Sequence, residues 1–304
     1  MSTEIQKQWV DQFNALLDIQ PQQMVSKLLT TVSSEFGVTA ETAWYNRVGI
    51  ATGQQRTDRY ADAPNNPKTR QRRGVTPTTY DVGEIYDKID SLRMLSEPGS
   101  EDMEAMRAYC ARQIDATIAA AAVGTALTRN ADGTSSNDAF DTSTKRVAVN
   151  VVNKGDSPAN SGMNIGKLRK GLELLAAAEI DPDTDEIYCV LGEQQVGDLL
   201  EETKVGSADY NGLMPLMTGQ LGRFMGINFV RYTGLAVPVS NQRQCLLYTK
   251  KAIKAVFTTD QPIIGDMWER PDKAGKPWYG YAKTDVGAVR RHDEGVVDIL
   301  CLES

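Results

Sequence analysis

The sequence predicts an α+β chain whose parts follow in order: an amino-terminal arm, a long polar excursion, one strut helix, an α/β unit and a final run of strands. Three observations carry this. Met103, Met106, Cys110, Ile114, Ile118, Ala121 and Thr125 step by three or four, the period of a long helix. Residues 46–80 hold few large apolar side chains and have little core of their own. After residue 226 come short β-like runs. With 304 residues, 41% hydrophobic and 24% charged, the chain has the length for two packed cores and an ordinary globular composition.

Residues 1–45 are Gln-rich. Trp9, Phe13, Leu16 and Leu17 lie at near-helical spacing, so an amphipathic helix there needs a partner for its apolar face. The stretch 46–80, with turn signals from Pro64 to Pro67 and glycines at 49, 53 and 74, reads as an extended segment leaving the body. In 81–95, Val82, Ile85, Ile89 and Leu92 keep helical spacing. Pro98-Gly99 breaks the chain, Ser100 is an N-cap, and Glu101, Asp102 and Glu104 are acidic first-turn residues. One helix is expected over 101–127, about 40 Å long. Asn130 to Gly133 is a hairpin-type turn, Arg146–Val152 a strand and 153–163 a loop. Asn164 caps a helix with Ile165, Leu168, Leu172 and Leu175 on one face, ending near Ala178. A turn at Asp181-Pro182-Asp183 leads to the strand Glu186–Leu191 and the helix Glu193–Glu202. A glycine-punctuated turn over 219–226 then enters Ile227–Tyr232, and further strands are Cys245–Thr249, Ala252–Thr258, Trp278–Thr284 and Val296–Cys301.

Several function classes lose support. The net charge of -7 argues against a surface built throughout to grip nucleic acid. Cys110, Cys189, Cys245 and Cys301 have no zinc or redox spacing and read as buried reduced thiols. The first residues lack a signal-peptide layout, and the apolar stretch Ile114 to Leu127 is too short for a bilayer, so a cytoplasmic protein is expected. His292 is the single histidine, which removes multi-histidine metal sites, and it is expected to be solvated. Nucleophile-elbow, Walker and His-Glu-x-x-His motifs are absent. Asp181, Asp183 and Asp185 open like a calcium loop, but Glu186 and Gly192 stand where that loop needs Gly and Glu. No catalytic residue, metal or cofactor is expected. The alternative from another class is an α/β enzyme with its site in the acidic regions Asp181–Asp185 and Asp198–Asp209.

Charge is segregated. Arg56, Arg59, Lys68, Arg70, Arg72 and Arg73 against Asp58 and Asp62 give the excursion +4, while Asp81 to Arg107 holds eight acidic and three basic residues, -5. A basic excursion and an acidic platform on one chain are satisfied head-to-tail between copies. The six basic residues are therefore expected to contact Glu84, Asp87 and Asp90 of a neighbour.

The chain resembles a known family through Ile85-Tyr-Asp-Lys-Ile-Asp90, Arg112-Gln-Ile-Asp115, Ala122-Val-Gly-Thr-Ala126 and Ser207-Ala-Asp-Tyr-Asn211. The run Gly219 to Ile227, Gly287-Ala-Val-Arg-Arg291 and Val296-Val-Asp-Ile299 complete the pattern. In order and spacing these are similar to the major capsid proteins of tailed phages with the Hong Kong 97-type fold, among them the phage capsid-like proteins of podoviruses and related phages. The resemblance implies an N-arm over 1–45, an E-loop over 46–84, a P-domain over 85–160 with the strut as spine helix, an A-domain over 161–250, and a return of 251–304 to the P-domain sheet. It implies hexamers and pentamers of an icosahedral head around double-stranded DNA, assembled in the host cytoplasm. Its partners would be copies of itself, a separate scaffolding protein, a portal protein and, in some phages, a decoration protein. Lys68 lies in the E-loop, but no partner asparagine for a covalent crosslink is identified. An encapsulin-like cargo compartment of the same fold is the nearer alternative.

Overall fold

A computed structural model describes residues 22–60, 63, 65–86, 99–201, 223–239 and 241–303. The strut forms as its apolar spacing predicts, as the unbroken helix α1 (Gly99–Val123). Two shorter helices are α2 (Ile165–Ala176) and α3 (Glu193–Glu201). The strands before α1 are β1 (Ser33–Glu35), β2 (Ala43–Val48), β3 (Arg70–Val75) and β4 (Thr78–Tyr86). Those after it are β5 (Ala126–Asn130), β6 (Ser135–Asp138), β7 (Arg146–Val147), β8 (Ile187–Leu191), β9 (Arg223–Phe224) and β10 (Ile227–Arg231). The last are β11 (Gln242–Thr249), β12 (Ile253–Phe257), β13 (Ile264–Glu269), β14 (Trp278–Arg290) and β15 (Val296–Leu302).

The described chain divides into two units, one of 80–112 and 263–284 with 22–25, the other of 26–79, 113–262 and 285–303. In the first, β13 pairs antiparallel with the first half of β14, from Ile264↔Lys283 to Glu269↔Trp278. Met106, Cys110 and Ala282 are buried together, with Val82, Tyr86, Met103, Tyr109 and Ile263 against them. Gly280 faces this cluster, where a Cβ would already stand 3.2 Å from Tyr86 and 3.3 Å from Met103 Sδ. Alternation turns Tyr279 and Tyr281 to the opposite face, where both meet the Trp268 ring.

The second unit holds a six-stranded sheet in the order β7-β15-β11-β8-β10-β9. Its central strands are apolar on both faces, as in Ile187, Cys189, Val190 and Leu191, because both faces are covered. Helix α2 lies on β11 and β15 through Gly171, whose missing Cβ leaves room for Leu247 and Ile299. Asn164 caps α2 as predicted, its side-chain oxygen accepting from the Lys167 N–H at 2.8 Å. Ile114, Ile118 and Ala122 on the second half of α1 are fully buried. In the same turn run, Asp115 accepts hydrogen bonds from the Ser26 hydroxyl (2.5 Å) and from the Lys27 (2.8 Å) and Leu28 (3.0 Å) amides. It thereby holds the 3-10 turn Leu29–Thr31 in place. The third sheet has the order β2-β3-β5-β6, and Asn130 to Gly133 makes the β5–β6 hairpin turn as predicted.

The structure corrects several expectations. The helix stops at Val123 instead of 127, because Arg290 Nη1 donates to the carbonyls of Ala122 (3.2 Å) and Gly124 (2.7 Å), closing its last turn. Ala126 and Thr128 then bury at period two as β5, not as helix. The helix begins at Gly99, one residue before Ser100. In 81–95 the described part belongs to the strand β4; the remainder, like Trp9, Phe13, Leu16 and Leu17, lies outside the described residues. The end of the expected arm is core: Leu28, Thr31 and Val32 are buried, and β1 pairs with β12. Only Arg146 and Val147 of the strand 146–152 pair, because the Val151 amide turns back to the Ala148 carbonyl at 3.2 Å. The final strand, β15, pairs with β11 and β7 in the six-stranded sheet. His292 is half-buried, and burial first, then Arg291 and Arg47, push its pKa down.

Candidate inter-subunit surface

Strands β2 and β3 pair antiparallel from Ala43↔Val75 to Val48↔Arg70, and the chain between them runs out as a long connection. Every described residue from Gly49 to Arg70 is exposed, Ile50 at 94% and Tyr60 at 88%. Nothing in the chain covers this arm among the described residues. Its tip is nevertheless turned: the Arg56 guanidinium donates to the carbonyls of Asp58 (3.0 Å) and Arg59.

The base of the arm is held by ion pairs. Arg73, fully buried, donates to Thr128 Oγ1 (2.6 Å), Asp138 (2.6 Å) and Asp293. Arg47 on β2 reaches Asp293 at 2.9 Å and also Glu294, and Arg290 reaches Asp293 at 2.6 Å. Burial opposes ionisation of Asp293, but the Arg290 hydrogen bond and the charges of Arg73, Arg290 and Arg47 outweigh it and hold its carboxyl below the ordinary value. Arg73 therefore departs from the sequence expectation, since it is engaged inside its own chain.

The other expected contact residues divide as follows. Arg59, Lys68, Arg70 and Arg72 are exposed, and none has a carboxylate partner among the described residues. Arg56 is exposed and bound to its own tip. Glu84 is exposed on β4, accepting from the Tyr86 hydroxyl at 3.4 Å. Asp87 and Asp90 lie outside the described residues. The sequence reading missed Arg47, Asp138, Arg290 and Asp293, and also Arg129. Alternation along β2 marks Arg47, but the convergence of strands distant in sequence on Asp293 has no local signature.

The candidate enzyme region fares differently. Asp185 pairs with Lys251 (2.7 Å) and Glu186 with Lys250 (3.0 Å), while Asp181 accepts the Asp183 amide (3.0 Å), so these groups are a paired surface turn. Asp209 lies outside the described residues. All four cysteines are buried and free, and no cluster able to hold a metal occurs among the described residues. No described helix is long and apolar enough to cross a membrane.

Solved structures share the fold. The capsid of the cyanophage P-SCSP1u superposes with a TM-score of 0.75 at 11% identity, over 100% of this chain and 96% of that one. The head of the Helicobacter pylori bacteriophage KHP40 gives 0.70 at 10% identity, covering 99% and 98%. Mycobacterium phage Che8 gives 0.69 at 16%, covering 95% and 96%. No curated protein matches in sequence. The fold is thus that of capsid shell subunits, the Hong Kong 97-type α+β fold. A family described as phage capsid protein matches residues 5–303, and the chain belongs to it, as a major capsid protein of a tailed phage. Its place is the virion capsid, built by self-assembly into capsid oligomers.

Proposed function

We propose that copies of this chain form the hexamers and pentamers of an icosahedral head enclosing double-stranded DNA, with the β2–β3 arm clasping a neighbour. The observation that carries this is the arm itself, a run of exposed residues whose backbone ordering costs about 1–2 kcal/mol per residue without contacts in its own chain. A neighbouring copy supplies those contacts. Arg59, Lys68, Arg70 and Arg72 would lie across a neighbour's acidic stretch of Glu84, Asp87 and Asp90. Each such contact is weak, and closure multiplies it.

On this reading a separate scaffolding protein guides closure in the host cytoplasm, a portal protein occupies one vertex, and a decoration protein is an optional addition. The packaged DNA meets the inner surface without sequence preference. The chain does no chemistry of its own, in keeping with the paired acidic turn at Asp181 to Glu186. Sedimentation and negative-stain microscopy of the purified protein, alone and with its scaffold, test this: rings and closed shells are expected. A small soluble oligomer under every condition would overturn it.

A further inference from the structure

Two like-charge pairs of opposite sign stand on this chain, and neither has an ion-pair partner among the described residues. The first follows from strand register. Arg72 on β3 sits directly opposite Asn46 on one side and Arg129 of β5 on the other, so two guanidiniums occupy adjacent cross-strand positions of one face. Arg70 lies two residues along on the same face. Both Arg72 and Arg129 are exposed. Among the described residues, the one partner of either is the Trp44 ring, 5.8 Å from the Arg129 guanidinium carbon. A cavity of about 490 Å³ runs along this part of the sheet, and its lining includes Arg47, Arg70, Arg72 and Arg129 but no carboxylate. Like charges directly opposite on a sheet are unfavourable unless an anion joins them.

The second pair is acidic. Glu84 of β4 and Asp102 in the first turns of α1 line one shallow cavity of about 270 Å³, with Val82, Ala105, Met106 and Tyr109 around them. The Tyr86 hydroxyl donates to Glu84 at 3.4 Å, and burial first, then the charges of Asp102 and Glu84, push its pKa up; a neutral hydroxyl neutralises neither carboxylate. The cavity lies below the range of small-molecule sites, roughly 300–1,000 Å³. No basic residue lines it.

We infer that the Arg72–Arg129 pair docks on the Glu84–Asp102 pair of a second copy, so that the arm's contact surface extends beyond the arm to β5. This rests on the proposed assembly and adds to it two residues, Arg129 and Asp102, together with a specific pairing. Register explains why Arg73, next to Arg72, takes no part: it points to the opposite, inward face and is buried. Packaged DNA is the competing anion for the basic face, but a phosphate chain would leave the acidic pair unexplained.

A charge exchange tests the pairing. Arg129→Glu and Asp102→Lys are each made in the full chain, then combined, and closed shells are counted after sedimentation while circular dichroism follows the fold. Each single substitution is expected to lower shell yield at least tenfold with the fold retained, and the combination to restore most of it. If either single variant fails to fold, Arg129→Gln and Asp102→Asn take their place; each should then make assembly less sensitive to salt between 50 and 500 mM. Wild-type yield from both single variants would overturn the pairing and leave the capsid reading intact. So would a double variant as defective as the singles, or shells of Arg129→Glu that close normally but retain less DNA. Absence of shells from the wild type would instead overturn the assembly on which the inference rests.

Discussion

At Asp293 three guanidiniums, from Arg47, Arg73 and Arg290, converge on one carboxylate at the turn between β14 and β15. Removing the charge leaves Arg290 buried without its counter-ion and leaves Arg73 with Asp138 alone. Asp293→Asn should therefore cost about 3–5 kcal/mol in urea unfolding. The sign of the pH effect follows from the depressed carboxyl. Its contribution is complete above the ordinary aspartate value of about 3.9 and is lost as pH falls through the lower folded value. Wild type should thus lose stability in acid more steeply than Asp293→Asn, as read from urea midpoints at successive pH values. Lys167 is a second buried charge. Its ammonium donates to the carbonyls of Ser161 (2.6 Å), Gly162 (2.9 Å) and Leu300 (2.9 Å), linking the start of α2 to β15. Burial lowers its pKa, yet Lys167→Met would strand three acceptors and should destabilise by about 1–3 kcal/mol for each left unsatisfied. Hydrogen exchange should rise first in α2.

Helix α1 and the β2–β3 arm make contrasting demands on the chain. On the helix, Ile114→Asp puts a charge at a fully buried position and should cost several kcal/mol, with loss of cooperative unfolding as the readout. On the arm, Arg70→Glu with Arg72→Glu should change monomer stability by less than about 1 kcal/mol, since both side chains are exposed and unpaired, while shell yield falls. Adding Arg73→Glu should unfold the monomer, because a third carboxylate would face Asp293 and Asp138. The contrast shows what sequence can and cannot reveal. Periodicity marked α1, and the Asn164 cap marked α2, because both signals are local. Arg73 looked like its neighbours in a basic run, and only the pairing of β3 between β2 and β5 decides that it points inward. The end of α1 was hidden for the same reason: the group that closes it, Arg290, lies 166 residues from Gly124. Strand β13 went unseen because Gly265, Asp266 and Glu269 dilute its apolar signal.

For the whole molecule, the legible part was the order of segments and the segregation of charge. The exposed excursion appears in the structure, while of the acidic stretch only Asp81, Glu84, Asp102 and Glu104 are described with their side chains. Illegible were the contributions of distant strands: β15 completes the six-stranded sheet, and the residues expected to form a free arm up to 45 supply β1 and part of a core. These depend on long-range pairing, which no window of sequence contains. The segments that carried the family resemblance are explained in part by such pairing. Arg290 of Gly287–Arg291 closes the helix at Ala122–Ala126, and the Asp298 carboxylate of Val296–Ile299 receives Arg146 Nε at 2.6 Å. The central claim is that the arm finds its contacts on another copy. A cryo-electron microscopy map of closed shells tests it most directly, at a resolution where arginine side chains are traced. Residues 49–69 should lie across a neighbouring subunit, with Arg70 and Arg72 beside its Glu84 and Asp102. An arm folded against its own subunit, or one projecting into solvent in the closed shell, would contradict it.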